Sequence, residues 1–348
     1  MQIVKMVNLH CTDSIRATVP ACTSSQPLWV SVAHEPVEKW KVTPAKLAAF
    51  ESTLEDLGYN LENVTLVIND TVQIPENLVK IQVVSVNFFR LQTYYYKYFT
   101  TQEFCTEWHG GNRTLYLMGK PYAPHRLPLL KALIDRLPME QLVYSFHSGK
   151  DTRVWKKNLC TFQDHFPDLN YAEFAHKYHN DLTGRRTITA SDFHYSGFPF
   201  QVDLYTSTAL SVISESHWQH HNALPNHYTA AWNTEKTWRA IANHHPFALI
   251  SCEHLLVLLR SQGYLLWEQF FKHSPEKINQ VTDIETRISM MVDNVEFFIK
   301  NQTPEIQVMA KHNADLMDQH AQQDINRVFG GDKTLFCRFM NHARIPNR

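Results

Sequence analysis

No run of about 18 or more apolar residues occurs in the 348-residue chain, so a membrane-spanning helix is not expected. No Cys-x-x-Cys pair occurs either. The six cysteines, Cys11, Cys22, Cys105, Cys160, Cys252 and Cys337, are scattered, as in a cytoplasmic protein with reduced thiols rather than a disulfide framework. The apolar run Met1–Leu9 is short and broken by Lys5. It reads as a first strand rather than a signal peptide, so the N-x-T sequons at Asn63, Asn69, Asn112 and Asn301 carry no weight. An excess of one charge is also lacking. The net charge of −1 speaks against a protein whose main task is to coat nucleic acid, because that affinity comes mostly from neutralising phosphates. There is no internal repeat, no low-complexity tract and no Asp-x-Asp at a strand end.

What is present is a globular composition, 44% hydrophobic and 19% charged, enough for one large domain or two ordinary ones. Strand and helix signals alternate from the start. Gln2–Leu9, Leu28–Ala33, Val64–Ile68 and Val79–Phe88 read as strands. Between them Pro44 opens a helix whose apolar residues Leu47, Phe50, Leu54 and Leu57 recur at helical spacing, and Gly58 stops it. A tyrosine-rich run, Tyr94, Tyr95, Tyr96, Tyr98 and Phe99, is either interdomain packing or a platform for an acceptor sugar or base. Around Gly110-Gly111 the pattern pauses, then restarts with strand Arg113–Met118, helix Pro124–Leu137 and strand Gln141–Phe146. Residues 148–203 lack clear periodicity and read as irregular helix and loop. Strand Ala209–Ile213, a helix opening at Thr234, strand Pro246–Ser251, helix Glu253–Ser261 and a helical stretch from Trp267 to Phe329 follow. Such alternation predicts an α/β protein with parallel sheets. The expected organisation is an N-terminal α/β domain over 1–110, a second over 111–290, and helices over 291–348 returning to the first.

One segment carries chemistry: Ser214-Glu215-Ser216, then Trp232-Asn233-Thr234-Glu235-Lys236-Thr237-Trp238-Arg239. Thr234 has the residue type of an N-cap. The helix start it opens offers free N–H groups and partial positive charge, which suit a diphosphate. Lys236 in the first turn opposes the helix dipole, which an anionic ligand between the two would explain. Glu235 can accept hydrogen bonds from vicinal ribose hydroxyls, and Trp232 presents a flat face to a sugar or base. The same residues also make an ordinary capped amphipathic helix, with Trp238, Ile241 and Ala242 as its buried face.

The segment resembles the donor-binding motif of the α1,3-fucosyltransferases and related viral and bacterial glycosyltransferases. In that motif an acidic-polar turn precedes an aromatic-x-Thr-Glu-Lys helix start and then a strand headed by Pro. Here these are Ser214-Glu215-Ser216, Trp232 to Lys236, and Pro246-Phe247-Ala248-Leu249-Ile250. A second patch, Thr114 to Met118 followed by Pro124-His125-Arg126-Leu127, is similar to the first strand and helix of their C-terminal domain, where the Arg contacts donor phosphate. The likeness spans roughly residues 112–265. The loop after Glu215 is longer than theirs, Ser216 stands where they use Asn, and Trp232 where they usually use Tyr. The sugar and base of the donor, GDP- or UDP-linked, are therefore left open.

The resemblance implies a GT-B fold, two Rossmann-like domains facing a cleft, with a nucleotide sugar bound by Arg126, Glu215, Ser216, Trp232, Thr234, Glu235 and Lys236. It implies a glycan or other hydroxylated acceptor, and neither cofactor nor metal. In an inverting enzyme a base from the N-terminal half would deprotonate the acceptor. Glu35 and Asp70 are the candidates, with Asp13 and His34 behind them. Two other functions fit the same pattern. One is transfer to modified bases of phage DNA, for which Lys39, Lys41, Arg90, Lys97 and the tyrosines are the hints. The other is a non-catalytic α/β scaffold or nucleotide-binding protein. His217, His220 and His221 supply too few convergent ligands for a zinc site.

Overall fold

The computed structural model describes residues 2–5, 15–16, 19, 21, 27–31, 44–69, 80–118, 125–146, 152–179, 202–215 and 235–343. The chain is α/β and divides into two compact units. The first comprises Met1–Thr100, His221–Trp232 and Asp318–Ile345, the second Thr101–His220, Asn233–Met317 and Pro346–Arg348.

In the first unit, strands β1 (Gln2–Lys5), β2 (Leu28–Ser31), β3 (Val64–Asn69) and β4 (Gln82–Val86) form a sheet in that order, every neighbour parallel. Helix α1 (Pro44–Asp56) packs Leu47, Phe50 and Leu54 into one core with Leu28, Val30, Val64 and Leu66, the face its periodicity predicts. Its end is a Schellman turn. Tyr59 N donates to Leu54 O at 3.0 Å and Gly58 N to Glu55 O at 2.9 Å, with Gly58 at a φ of 88° that favours glycine. Glu51 of α1 accepts the backbone N–H groups of Lys80 and, at 3.1 Å, Ile81, fixing the entry to β4.

The strand expected over Val79–Phe88 is shorter, because Asn87 caps helix α2 (Phe88–Phe99) by accepting from Arg90 N at 3.0 Å. The tyrosine-rich run lies on α2. It packs against the C-terminal part of α11 (Glu305–Phe329) and against α12 (Lys333–Ala343). Tyr94 bonds Gln322 at 3.1 Å, Tyr95 bonds Asn341 at 3.0 Å, and Tyr98 bonds Asp318. Arg90 and Lys97 pair with Asp324 at 2.6 Å and Asp318 at 2.7 Å. Trp29 of β2 stacks on Phe329 with ring centres 5.4 Å apart. The aromatic residues, with two of the cations that hinted at a nucleic-acid groove, are thus engaged in packing within the first unit.

In the second unit, strands β5 (Thr114–Leu117), β6 (Leu142–Ser145), β7 (Leu210–Ser214) and β8 (Phe247–Ile250) form a parallel sheet in the order β6-β5-β7-β8. All residues of β6, β7 and β8 are buried, as in a sheet covered on both faces. Helix α3 (Arg126–Arg136) follows β5, and α7 (Glu235–Ala242) precedes β8. The segment read as irregular contains helices α4 (Thr152–His165), α5 (Tyr171–Tyr178) and α6 (Val202–Thr206). Phe162 of α4 meets Tyr171 and Phe174 of α5 at 5.3 and 4.9 Å, so these helices are stabilised by rings on their neighbour. Gly110 and Gly111, with φ of 69° and 121°, form a turn bound by Gln302, which accepts from Gly111 N at 3.1 Å and donates to Gly111 O. Helices α8 (Glu253–Ser261), α9 (Pro275–Gln280) and α10 (Ile284–Lys300) complete the unit with the first part of α11.

Among the described residues no helix is long and apolar enough to cross a membrane. The described cysteines, Cys105, Cys160, Cys252 and Cys337, are free thiols.

Candidate functional site

The described strands of the first sheet follow chain order. In the second sheet the order reverses between β5 and β7. Connections from adjacent strands then leave in opposite directions, and the carboxyl ends of the two strands border a crevice where ligands of open α/β sheets bind. Several of the expected donor-site residues lie at this edge.

Arg126 opens α3, with His125 before it, and both are buried. The Arg126 guanidinium donates through Nη2 to the carbonyl of Ser214, the last residue of β7, at 3.1 Å. The hydroxyl of Tyr116 in β5 lies 3.2 Å from Arg126 O, to which it donates, and 3.3 Å from Ser214 Oγ. Burial pushes the Tyr116 phenol above its ordinary range, so it serves as a neutral link between strand and helix.

Glu215 extends the β7–β8 ladder by one bond, its N–H donating to Ile250 O at 2.9 Å. Its fully buried carboxylate accepts from the Thr237 hydroxyl at 2.7 Å. That bond ties the first turn of α7 to the end of β7. Helix α7 begins at Glu235, and Thr237, Trp238, Ile241 and Ala242 are buried, which includes the face expected from sequence. Trp238 meets the edge of Tyr264 at 5.5 Å. Glu235 and Lys236, at the helix start, are partly buried and 3.4 Å apart.

The helix closes without glycine. His245 N donates to Ala240 O at 2.9 Å and His244 N to Ile241 O at 3.0 Å, with His244 at a φ of 51°. His245 then turns inward, one ring nitrogen 2.8 Å from Thr208 O and the other 2.9 Å from Ser211 Oγ. This histidine thus hydrogen-bonds a backbone carbonyl and a hydroxyl inside the second unit.

A third cation stands at the same edge. Arg287 of α10 is 2% exposed. Its Nη2 donates to Ser251 O at 2.7 Å, directly after β8, and to Asn279 Oδ1, which also accepts from Ser251 N at 3.0 Å. Sequence reading missed it. The available signal was a charge on the stripe Arg287, Met291, Asn294 and Phe298, all buried. Burial, then the charges of Arg126 and Arg287 and more weakly that of Lys236, hold the His125 imidazole well below its usual pKa. His125 is therefore neutral, and the buried guanidinium groups of Arg126 and Arg287 at the ends of β7 and β8 disfavour further positive charge.

Of the expected donor residues, the structure brings Arg126, Glu215, Glu235 and Lys236 to this edge. Ser216, Trp232 and Thr234 lie outside the described residues, as do the base candidates Glu35 and Asp70, with Asp13 and His34. His217, His220 and His221 lie outside them too. Among the described residues no group of three or more His, Cys, Asp or Glu side chains could hold a metal ion. Comparison with protein-family models returns no match, and comparison with curated proteins returns none either.

Proposed function

We propose that this chain is a glycosyltransferase of the GT-B class that binds the diphosphate of a nucleotide-sugar donor at the carboxyl edge of the second sheet. The observation that carries the reading is that Arg126, bonded to Ser214 O, and the helix start that bears Lys236, tied through Thr237 to Glu215, both stand at the end of β7, where the strand order reverses. Cations preset at such an edge stabilise the negative charge that develops as the bond from the anomeric carbon to the phosphate oxygen breaks. In this reading Glu235 takes the ribose hydroxyls, Glu215 and Ser216 take sugar hydroxyls, and Trp232 faces the base or sugar. The acceptor oxygen bonds the anomeric carbon and releases its proton to a base, for which Glu35 and Asp70 are the candidates. The nucleoside diphosphate departs as the second product.

Thermal shift against GDP, UDP, dTDP and CMP, with their sugar conjugates, tests this. A ligand at a hundred times its Kd adds about 2.7 kcal/mol of stability. The expected result is stabilisation by one nucleoside diphosphate that is lost in Lys236→Ala. Stabilisation by none, or an unchanged shift in that variant, overturns the reading.

A further inference from the structure

Among the described residues, two hydroxyls of the second sheet are buried without a hydrogen-bond partner, those of Thr114 and Ser145. Thr114 opens β5, and Ser145 closes β6 at 4% exposure. A buried hydroxyl with no partner costs free energy, because it has left water and gained nothing in exchange. Thr114 lies at the amino edge of the sheet. Ser145 lies at the carboxyl edge, where open α/β sheets bind ligands. The register fixes the face on which it stands. Ser145 pairs with Leu117 of β5, and the β5–β7 register, with Tyr116 opposite Val212, continues Leu117 to Ile213. Side chains alternate between faces along a strand, so Glu215, two residues beyond Ile213, shares the face of Ser145. Thr237, in the first turn of α7, meets Glu215 there. Ser145 and Glu215 are thus about 10 Å apart across the sheet and about 7 Å apart along it. Leu117, on the strand between them, is only half-buried.

We infer that Ser145 is a specificity-determining residue that hydrogen-bonds a hydroxyl of the transferred sugar. This rests on reading the edge as the site of a nucleotide-sugar donor. Such a donor has two arms joined by the diphosphate. In that reading the ribose goes to Glu235 on α7, the helix that leads from β7 to β8. Strand β6 lies on the far side of β5 from β7, so the sugar arm leaves the diphosphate the other way, over Leu117. Glu215 meets the near side of the sugar and Ser145 its far side. A serine hydroxyl and a sugar hydroxyl can each donate and accept, so the contact needs no charge. The bond forms only with donor bound. The free protein therefore bears the cost of the unpaired hydroxyl and the complex recovers it. Discrimination follows, because a sugar lacking that hydroxyl leaves Ser145 buried and unpaired.

The test is calorimetric titration of the full chain with GDP and GDP-fucose, UDP and UDP-glucose, and dTDP and dTDP-glucose. The variants are Ser145→Ala and Thr114→Ala. Ser145→Ala is expected to bind the sugar conjugate about fivefold more weakly, with affinity for the bare diphosphate unchanged. Its melting temperature without ligand is expected to equal or exceed that of the wild type, because nothing in the fold uses the hydroxyl. Thr114→Ala, the same kind of deletion at the amino edge, is expected to leave both affinities unchanged. An equal loss for diphosphate and conjugate in Ser145→Ala overturns the inference, as does an equal loss in Thr114→Ala. A Ser145→Ala protein that melts lower or does not fold shows a structural hydroxyl and also overturns it. Wild-type protein that binds none of the six ligands removes the parent reading. Binding of a diphosphate and its conjugate that is unchanged in Ser145→Ala removes this inference alone.

Discussion

The Thr237 hydroxyl donates to the buried carboxylate of Glu215 at 2.7 Å, joining the helix that carries Glu235 and Lys236 to the end of β7. Thr237→Val keeps the shape and deprives Glu215 Oε1 of this donor. Such a loss costs about 1–3 kcal/mol, while Thr237→Ser is expected to restore most of it. Urea unfolding of the two variants measures the difference. Equal stability in both would show that the bond contributes nothing net and that α7 is held by Trp238 and Ile241 alone.

Arg126 and Lys236 serve the proposed donor alike but differ in what they do for the fold. Arg126 is 2% exposed and bonds the Ser214 carbonyl, so Arg126→Ala should lower stability by about 1.5–3 kcal/mol. Lys236 is only partly buried and lies 3.4 Å from the carboxylate of its neighbour Glu235, so Lys236→Ala should cost less than about 1 kcal/mol. Both should lose roughly a hundredfold in turnover. Denaturation curves beside donor-hydrolysis or transfer rates separate the two effects. Wild-type turnover in Lys236→Ala would remove it from the site.

His245 makes the fold sensitive to acid. Burial, partly offset by bonds with Thr208 and Pro246, brings its pKa from 6.5 to about 4. In the unfolded chain it takes up a proton near pH 6.5, while the folded protein resists until about pH 4. Its contribution is therefore complete above pH 6.5 and is lost as the pH falls from 6.5 to 4. The magnitude is about 3 kcal/mol over that window. His125 shifts in the same direction and adds to the slope. His245→Gln should flatten the decline in unfolding free energy between pH 6.5 and 4. A slope equal to that of the wild type would show that His245 titrates normally in the folded state.

What could be read from sequence were the elements whose signals are local. The α1 stop at Gly58, the buried face of α7 and the strands β3, β5, β7 and β8 follow from spacing within about ten residues. Other features rest on distant partners. The helices α4 and α5 are stabilised by rings they lend each other, such as Phe162 against Phe174, which no single window of sequence displays. The Tyr95–Asn341 bond spans 246 residues, so the sequence suggests interdomain packing or an acceptor platform for the tyrosine-rich run, whereas its partners lie within the first unit. Arg287 looks like one charge in an amphipathic helix until Ser251, 36 residues earlier, comes within hydrogen-bond reach. For the site, the helix-start cluster was legible because its residues are contiguous, and the third cation was not, because tertiary structure alone brings it there.

The ion pair between Arg90 and Asp324 anchors α11 to α2 inside the first unit, at 2.6 Å and with side chains only 7% and 10% exposed. Arg327 closes the arrangement by donating to Asp324 at 2.7 Å and to Ser85 O at 2.6 Å. Two buried charges cost desolvation that their attraction repays only while both are present. Asp324→Asn deprives Arg90 of its carboxylate and should cost about 3–5 kcal/mol, with α11 and α12 becoming more open to amide exchange. The double variant Arg90→Met/Asp324→Leu removes both charges and should recover most of that loss, because apolar side chains of similar volume can fill the space. Chemical denaturation of the two, with exchange measured over Asp318–Ala343, checks the pair. Equal destabilisation in the single and double variants would place the cost in packing rather than charge, and would leave the attachment of the C-terminal helices to contacts such as Trp29 on Phe329 and Tyr95 with Asn341.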